Sequence, residues 1–261
     1  MVRVLLDNKY LIRELVARDI HSRYIGSVIG LFWSILNPVI QLALYTTIFS
    51  GVLKQRFEET GTTGRFALYL FCALLPWMAV QEAVTRSARV FIENSNLIRR
   101  IQFPLEVLPF SLVASAFIHQ CLGSLILLIV LVVEQSFRYQ MWGFVFLLFA
   151  LQLVMMYGLA LTVACLNVFF RDIAQILGVV FMLFFWITPI VYPKSQAPGA
   201  FGWVLALNPL THMVQAYRHI FLGSPRPPTV GLMYWLAFCF AACWLGLFVL
   251  KRTRRQLVDL I

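Results

Sequence analysis

Few residues in this chain could do covalent chemistry, and their spacing limits what that chemistry is. His212 and His219 stand seven apart, on roughly one helical face, as paired metal ligands would, but no carboxylate accompanies them. The four histidines (His21, His119, His212, His219) form no cluster of the kind a membrane enzyme would gather at one surface, and no metal site is expected. Five cysteines (Cys72, Cys121, Cys165, Cys239, Cys243) all fall in apolar runs, without a CxxC or Cys/His spacing that suits zinc, and read as small buried hydrophobes. The chain contains no Gly-Lys dipeptide, so the phosphate-cradling GxxxxGK[ST] loop is absent. Aromatic rings, by contrast, are plentiful. NVFFRDIAQILGVVFMLFFWITPIVYP, residues 167–193, passes from Arg171-Asp172 into nearly twenty uncharged residues bearing Phe181, Phe184, Phe185, Trp186 and Tyr192, and is broken by Pro189.

The elements that must position these rings are membrane helices. Hydrophobic residues make up 61% of the 261 positions and charged ones 12%, whereas a soluble domain has about a quarter charged. Crossing a hydrocarbon core of about 30 Å takes around 20 helical residues. Six stretches qualify or nearly do: 28–53, 66–83, 109–133, 141–166, 173–192 and 229–250. The second is the weakest, since its uncharged part is short and holds Pro76; it continues as helix through Glu82 and Arg86. The N-terminal tail carries Arg3, Lys9, Arg13, Arg18 and Arg23, and the C-terminal tail Lys251, Arg252, Arg254 and Arg255. With Arg86, Arg89, Arg99, Arg100 and Arg171 in the second and fourth loops, two thirds of the 21 Lys and Arg fall on one side, which predicts cytoplasmic termini. The net charge of +10 is therefore juxtamembrane and argues against nucleic-acid binding. No cleaved signal peptide is expected, because the N-terminus lacks an uninterrupted apolar region and a small-residue cleavage site.

Two segments are neither spans nor plain loops. Residues 8–24 place Leu11, Ile12, Leu15, Val16 and Ile20 on one face, with Arg13, Glu14, Arg18 and His21 away from it, which predicts an amphipathic helix in the inner interface. Residues 193–228 are rich in proline and hold a short amphipathic run at Leu210, Met213, Val214, Tyr217 and Phe221, too short to span and therefore interfacial or re-entrant. None of the six cores holds Asp, Glu, Lys or Arg; Glu82, Glu106 and Glu134 lie at or beyond the ends. Ion-coupled transport is disfavoured on that ground, and His119 reads as a helix–helix hydrogen-bond partner. What remains is a pore-former with its energy supplied from elsewhere.

The loop RVFIENSNLIRRIQFPLEVLPF (89–110) then matters most, because Phe91, Ile92, Leu97 and Ile98 are too apolar to leave in water and suggest a docking element. Together with RDIHSRYIGSVIGLFWSILNP (18–38), LLPWMAVQEAV (74–84), NVFFRDIAQILG (167–178), FFWITPIVYP (184–193) and LNPLTHMVQAYRHIFL (207–222), it gives the chain its family likeness. Over nearly its whole length the chain resembles the permease subunit of ABC-2 type polysaccharide exporters, which move O antigens, capsules and teichoic acids. The resemblance implies one ABC-2 type transmembrane domain over 1–261: an all-α membrane protein of six transmembrane helices. To these it adds the N-terminal interface helix and periplasmic-side re-entrant helices before the last span.

The rest follows from that likeness. Glu93, Asn94, Leu97, Ile98, Arg99 and Arg100, within a coupling loop at 89–104, would sit in a cleft of a separate ATPase, joined by Arg171 and Asp172. Asp172 would cap the helix that opens the fifth span. Gly30 and Trp33 would lie where lipid-linked substrate enters. Arg18, Arg23, Arg86 and Arg89 are candidates for its headgroup, with solvated positive-inside charge as the alternative reading. A sugar polymer can stack its C–H faces on rings and slide without fixed charges to hold it. Tyr45, Phe49, Tyr69, Trp77, Phe181, Phe185, Trp186 and Tyr192 could supply that lining, or could face lipid and neighbouring helices instead. Pro189 would end its helix and let 193–222 fold back as a gate. Expected partners are two ATP-binding ABC subunits, a second copy of this chain, membrane lipids and an undecaprenyl-type lipid-linked polysaccharide in a bacterial inner membrane. ATP and Mg would bind in the partner and no cofactor in this chain. O antigen leads capsule and teichoic acid as cargo. An ion-coupled secondary transporter or lipid flippase is the alternative from another class.

Overall fold

Every regular element among the described residues of the computed structural model is helical. The structure describes residues 2–23, 32–48, 63–100, 103–136, 139–192, 199–225 and 227–260. The N-terminal segment forms α1 (Val2–Asp7) and α2 (Lys9–Ser22). Asn8 separates them, its side-chain amide donating to the Val4 carbonyl at 2.8 Å. In α2, Val16 is buried and Leu11, Ile12, Leu15 and Ile20 are half-buried, while Arg13, Glu14, Arg18 and His21 are exposed.

The remaining helices are α3 (Trp33–Tyr45), α4 (Thr63–Ser87), α5 (Val90–Glu93), α6 (Ser95–Arg100), α7 (Val107–Val133) and α8 (Trp142–Phe169). Then come α9 (Ile173–Ile187), α10 (Gly199–Leu207), α11 (Pro209–Leu222) and α12 (Thr229–Leu260). Among the described residues, four helices are long and apolar enough to cross a membrane: Phe66–Ser87, Val107–Val133, Gly143–Phe169 and Thr229–Leu257. Within the stretches expected at 28–53 and 173–192 lie shorter apolar helices, Ile35–Ile48 and Ile173–Ile187. Fifteen residues of α9 rise only about 22 Å. The first stretch runs at both ends into positions outside the described residues.

α4 occupies the centre, packed by α7, α8, α9 and α11. α8 and α12 approach most closely, and two glycines explain why. A Cβ added to Gly158 would meet the backbone of Ala242 and Cys243 at 2.3 Å, and one on Gly246 would meet the Gly158 carbonyl oxygen at 2.5 Å. Small residues at such a seam let two backbones touch. A second apolar cluster closes the end of the bundle that carries both chain termini, where Val90, Phe91, Ile98, Leu105 and Leu108 meet Tyr157, Leu161, Leu250 and Leu257. Pro109 sits in the first turn of α7, where its missing N–H costs nothing.

Candidate functional site

At the end that carries the termini, α4 runs directly into α5 and α6. Asn94 makes the corner: its backbone N–H (3.2 Å) and side-chain amide (2.8 Å) both donate to the Val90 carbonyl, and Leu97 and Ile98 return N–H groups to its own carbonyl. Glu93 and Arg99 are exposed and Leu97 is half-buried. The expectation that Phe91, Ile92, Leu97 and Ile98 all await an outside partner needs correcting. Phe91 and Ile98 are buried against α8 and α12 of the same chain, and only Ile92 and Leu97 remain on the outer face. Arg171 and Asp172 are exposed in the turn between α8 and α9. Asp172 stands at the N-cap of α9 but its carboxylate makes no cap bond; Asn167 Oδ1 instead accepts the Ala174 N–H at 3.0 Å. Arg100 lies in α6, its side chain outside the described set.

The candidate headgroup cations divide into two kinds. Arg23 and Arg86 are both committed to carboxylates. Arg86 reaches Asp19 through both terminal nitrogens, one at 3.0 Å, and Glu82 at 3.3 Å. Arg23 donates to Asp19 at 3.0 and 3.1 Å and pairs with Glu82. Ser115 of α7 donates to Asp19 and accepts from Arg23 at 3.1 Å. This cluster stitches α2, α4 and α7 together across 67 to 96 residues of sequence. Burial would raise the Asp19 pKa, but hydrogen bonds from Arg86 and Ser115 and the charges of Arg86 and Arg23 outweigh it and hold it at about 2. Arg18 and Arg89, by contrast, are exposed and line a cleft of about 610 Å³ between α2, the α4–α5 corner and α7, beside the Asp19–Arg86 pair.

The opposite end is organised by Arg218 of α11, which is 3% exposed. Its guanidinium donates to the carbonyls of Tyr69 (3.2 Å), Pro189 (2.6 Å) and Ile190 (2.6 Å), and its Cζ lies 3.4 Å from the Tyr69 ring centroid. α9 ends at Ile187, just ahead of Pro189, and Thr188 is already extended at φ −95°, ψ 132°. α11 starts with Pro209 behind Asn208, whose side chain accepts the Leu210 N–H and donates to Thr188 Oγ1 at 2.9 Å. It stops at Gly223, whose φ of 69° suits glycine. His212 and His219 each spend one ring nitrogen on a backbone carbonyl, of Ala206 and Ser224.

The candidate channel aromatics fall into distinct environments. Trp77 is buried and meets Phe181 and Phe185 edge-on at 5.9 and 6.0 Å, and Tyr69 is buried beneath Arg218. Trp186 is 61% exposed, and the half-buried Tyr192 donates its hydroxyl to the Trp186 carbonyl at 2.6 Å. Tyr45 belongs to α3 but its side chain is not among the described residues, and Gly30 and Phe49 lie outside them altogether. Midway between the ends, Gln120 (α7) and Gln152 (α8) exchange hydrogen bonds at 2.9 and 2.7 Å. Tyr217 joins both, and Gln152 also donates to the Pro76 carbonyl at 3.2 Å.

Sequence reading passed over Asp19, Ser115, Gln120, Gln152 and Arg218. The available signal was weak: an amide inside an otherwise apolar span, and one arginine in the apolar run 207–222.

A family model described as ABC-2 type transporter matches residues 10–222. The whole chain is 30% identical to the O-antigen export system permease protein RfbA of Myxococcus xanthus, covering 99% of that protein. It is 28% identical over 239 residues to an RfbA permease of Klebsiella pneumoniae, 88% of each chain. It is 22% identical over 249 residues to the polysialic acid transport protein KpsM of Escherichia coli, 95% of each chain.

Proposed function

The chain belongs to the ABC-2 type transporter family, and from that premise we propose that it is the channel-forming permease of an ATP-driven polysaccharide exporter. The observation that carries this reading is the end-to-end similarity to an O-antigen export permease. O antigen on a lipid carrier is accordingly the cargo, and capsular polysaccharide is the second reading, from the likeness to KpsM. Two copies of the chain enclose the path in the inner membrane, each with six spans: the four long helices, α3 and α9. α10 and α11 are the re-entrant pair on the outer side, and both termini are cytoplasmic. Trp186 faces the path, backed by the Trp77–Phe181–Phe185 cluster.

Two ATP-binding subunits hold ATP and Mg and dock on the exposed edge formed by Glu93, Leu97, Arg99, Arg171 and Asp172. That edge is suited to transmit force, because Phe91 and Ile98 beneath it are locked into the α8–α12 end of the bundle. Purification from native membranes in mild detergent tests the reading. An ATPase subunit should accompany the chain one-to-one and be lost on Glu93→Ala or Leu97→Asp. Recovery of the permease alone, even after cross-linking, would overturn it.

A further inference from the structure

One pocket takes the reading above a step further and rests on it. α3 presents Trp33, Asn37 and Gln41 at successive four-residue steps, so they share one stripe of the helix. That stripe faces α4 and α7 across a pocket of about 370 Å³, whose lining also includes Glu82, Arg23 and Gln120. Among the described residues neither Asn37 nor Gln41 makes a hydrogen bond. Gln120 is fixed from behind by Gln152 and Tyr217, and Glu82 by Arg23 and Arg86. The Asp19–Arg86–Arg23–Glu82 cluster is thus a partition. Asp19 and Arg86 border the wide cleft with Arg18 and Arg89, while Arg23 and Glu82 border this smaller pocket.

We propose that this pocket is a saccharide subsite that holds a single sugar ring, the one next to the lipid carrier's headgroup. Each amide both donates and accepts, as a sugar hydroxyl does, and the Glu82 carboxylate has lone pairs to spare beyond those its arginines use. An acyl or prenyl chain would leave two amides and a carboxylate facing hydrocarbon, which is costly, so the pocket selects sugar over lipid tail. Its volume lies near the lower end of the range of about 300–1,000 Å³ typical of ligand pockets, which fits one ring and not a polymer. The subsite therefore reads the start of the glycan and leaves its length unread.

The test uses the full chain with its ATPase partner in lipid nanodiscs. The probes are a short prenyl diphosphate bearing N-acetylglucosamine, galactose or mannose, and the same prenyl diphosphate without sugar. The readout is the concentration that half-maximally stimulates ATP hydrolysis. At least one sugar-bearing probe should act at about tenfold lower concentration than the bare one. Asn37→Ala with Gln41→Ala should remove that advantage, and Gln41→Asn, which keeps the amide but shortens its reach, should remove part of it. Thermal midpoints taken in parallel identify any variant that acts through folding, in which case the single Gln41→Asn decides. Equal potency of all probes on the unaltered protein overturns the inference, as does an equal shift of bare and sugar-bearing probes in the variants. No stimulation by any probe would instead sink the functional reading, and the subsite with it.

Discussion

The two ends of the bundle each bury arginine, but they satisfy it by different means. At the end with the termini, Arg23 and Arg86 are answered by Asp19 and Glu82, all partly reachable by water, with side chains 12% to 35% exposed. At the other end, Arg218 is answered by three backbone carbonyls and the face of Tyr69, and is itself 3% exposed. An ion pair at the water's edge can exchange a partner for water at little cost. A guanidinium donating to buried carbonyls has no such exchange open to it, since each carbonyl left alone carries its full desolvation penalty. One end is therefore built to re-pair and the other to hold. That division suits the proposed docking surface on one side and a fixed break after α9 on the other.

The largest expected effect comes from removing the holding end. Arg218→Leu strands the Pro189 and Ile190 carbonyls and takes the cation off the Tyr69 ring, and should cost about 3 kcal/mol or more, seen as a lowered thermal midpoint of the detergent-purified protein. Arg218→Lys should recover less than half, because an ammonium lacks the planar fork that reaches several carbonyls at once. An unchanged midpoint in Arg218→Leu would remove the contrast between the ends.

Next comes the amide layer between them. Gln152→Leu should cost about 1–3 kcal/mol by leaving Gln120 and Tyr217 short of a partner. The double variant Gln120→Leu with Gln152→Leu should cost clearly less than the sum of the singles, and strict additivity would show that the two side chains are not coupled.

The re-pairing end should respond more gently and with a pH signature. The Asp19 carboxyl is held at about 2, below its usual 3.8, so its stabilisation is complete above about pH 4 and disappears as pH falls through about 2. Asp19→Asn should therefore cost about 1–2 kcal/mol at pH 7, after allowing for screening by nearby water, and only a small fraction of that at pH 2, where the carboxyl is half protonated. A pH-independent gap between the two proteins would count against the ion cluster. The smallest stability effect belongs to Glu93→Ala, expected within about 0.5 kcal/mol of the parent because the side chain is exposed, while recovery of the ATPase partner falls.

What the sequence made readable follows the same division. Local periodicity shows the apolar face of α2 and the apolar stretches that became helices, because each is encoded within a few turns of chain. Pairing across long separations is not encoded that way. Arg23 and Arg86 look like free positive-inside charge until folding brings Asp19 within reach, 67 residues from Arg86. Phe91 and Ile98 look like an exposed docking motif because part of what buries them lies far along the chain, around Leu250 and Leu257. Asp172 has the right position and chemistry for a cap, yet Asn167, one turn back in α8, reaches the free N–H first. Gln120 and Gln152 each look like an isolated amide, and only their meeting makes a polar layer.

The enclosure of α4 bears on how the protein is made. Of the four long helices it is the most hidden, with 83% of its most apolar stretch buried against 28% for α12. Synthesis delivers it before α7, α8 and α11, which supply most of its surroundings. A newborn α4, interrupted by Pro76 and ending in Glu82 and Arg86, presents to lipid a surface shaped for protein. Its burial is complete only once the chain has grown through α11, which ends at Leu222. At the centre of this molecule, the order of birth and the order of assembly run in opposite directions.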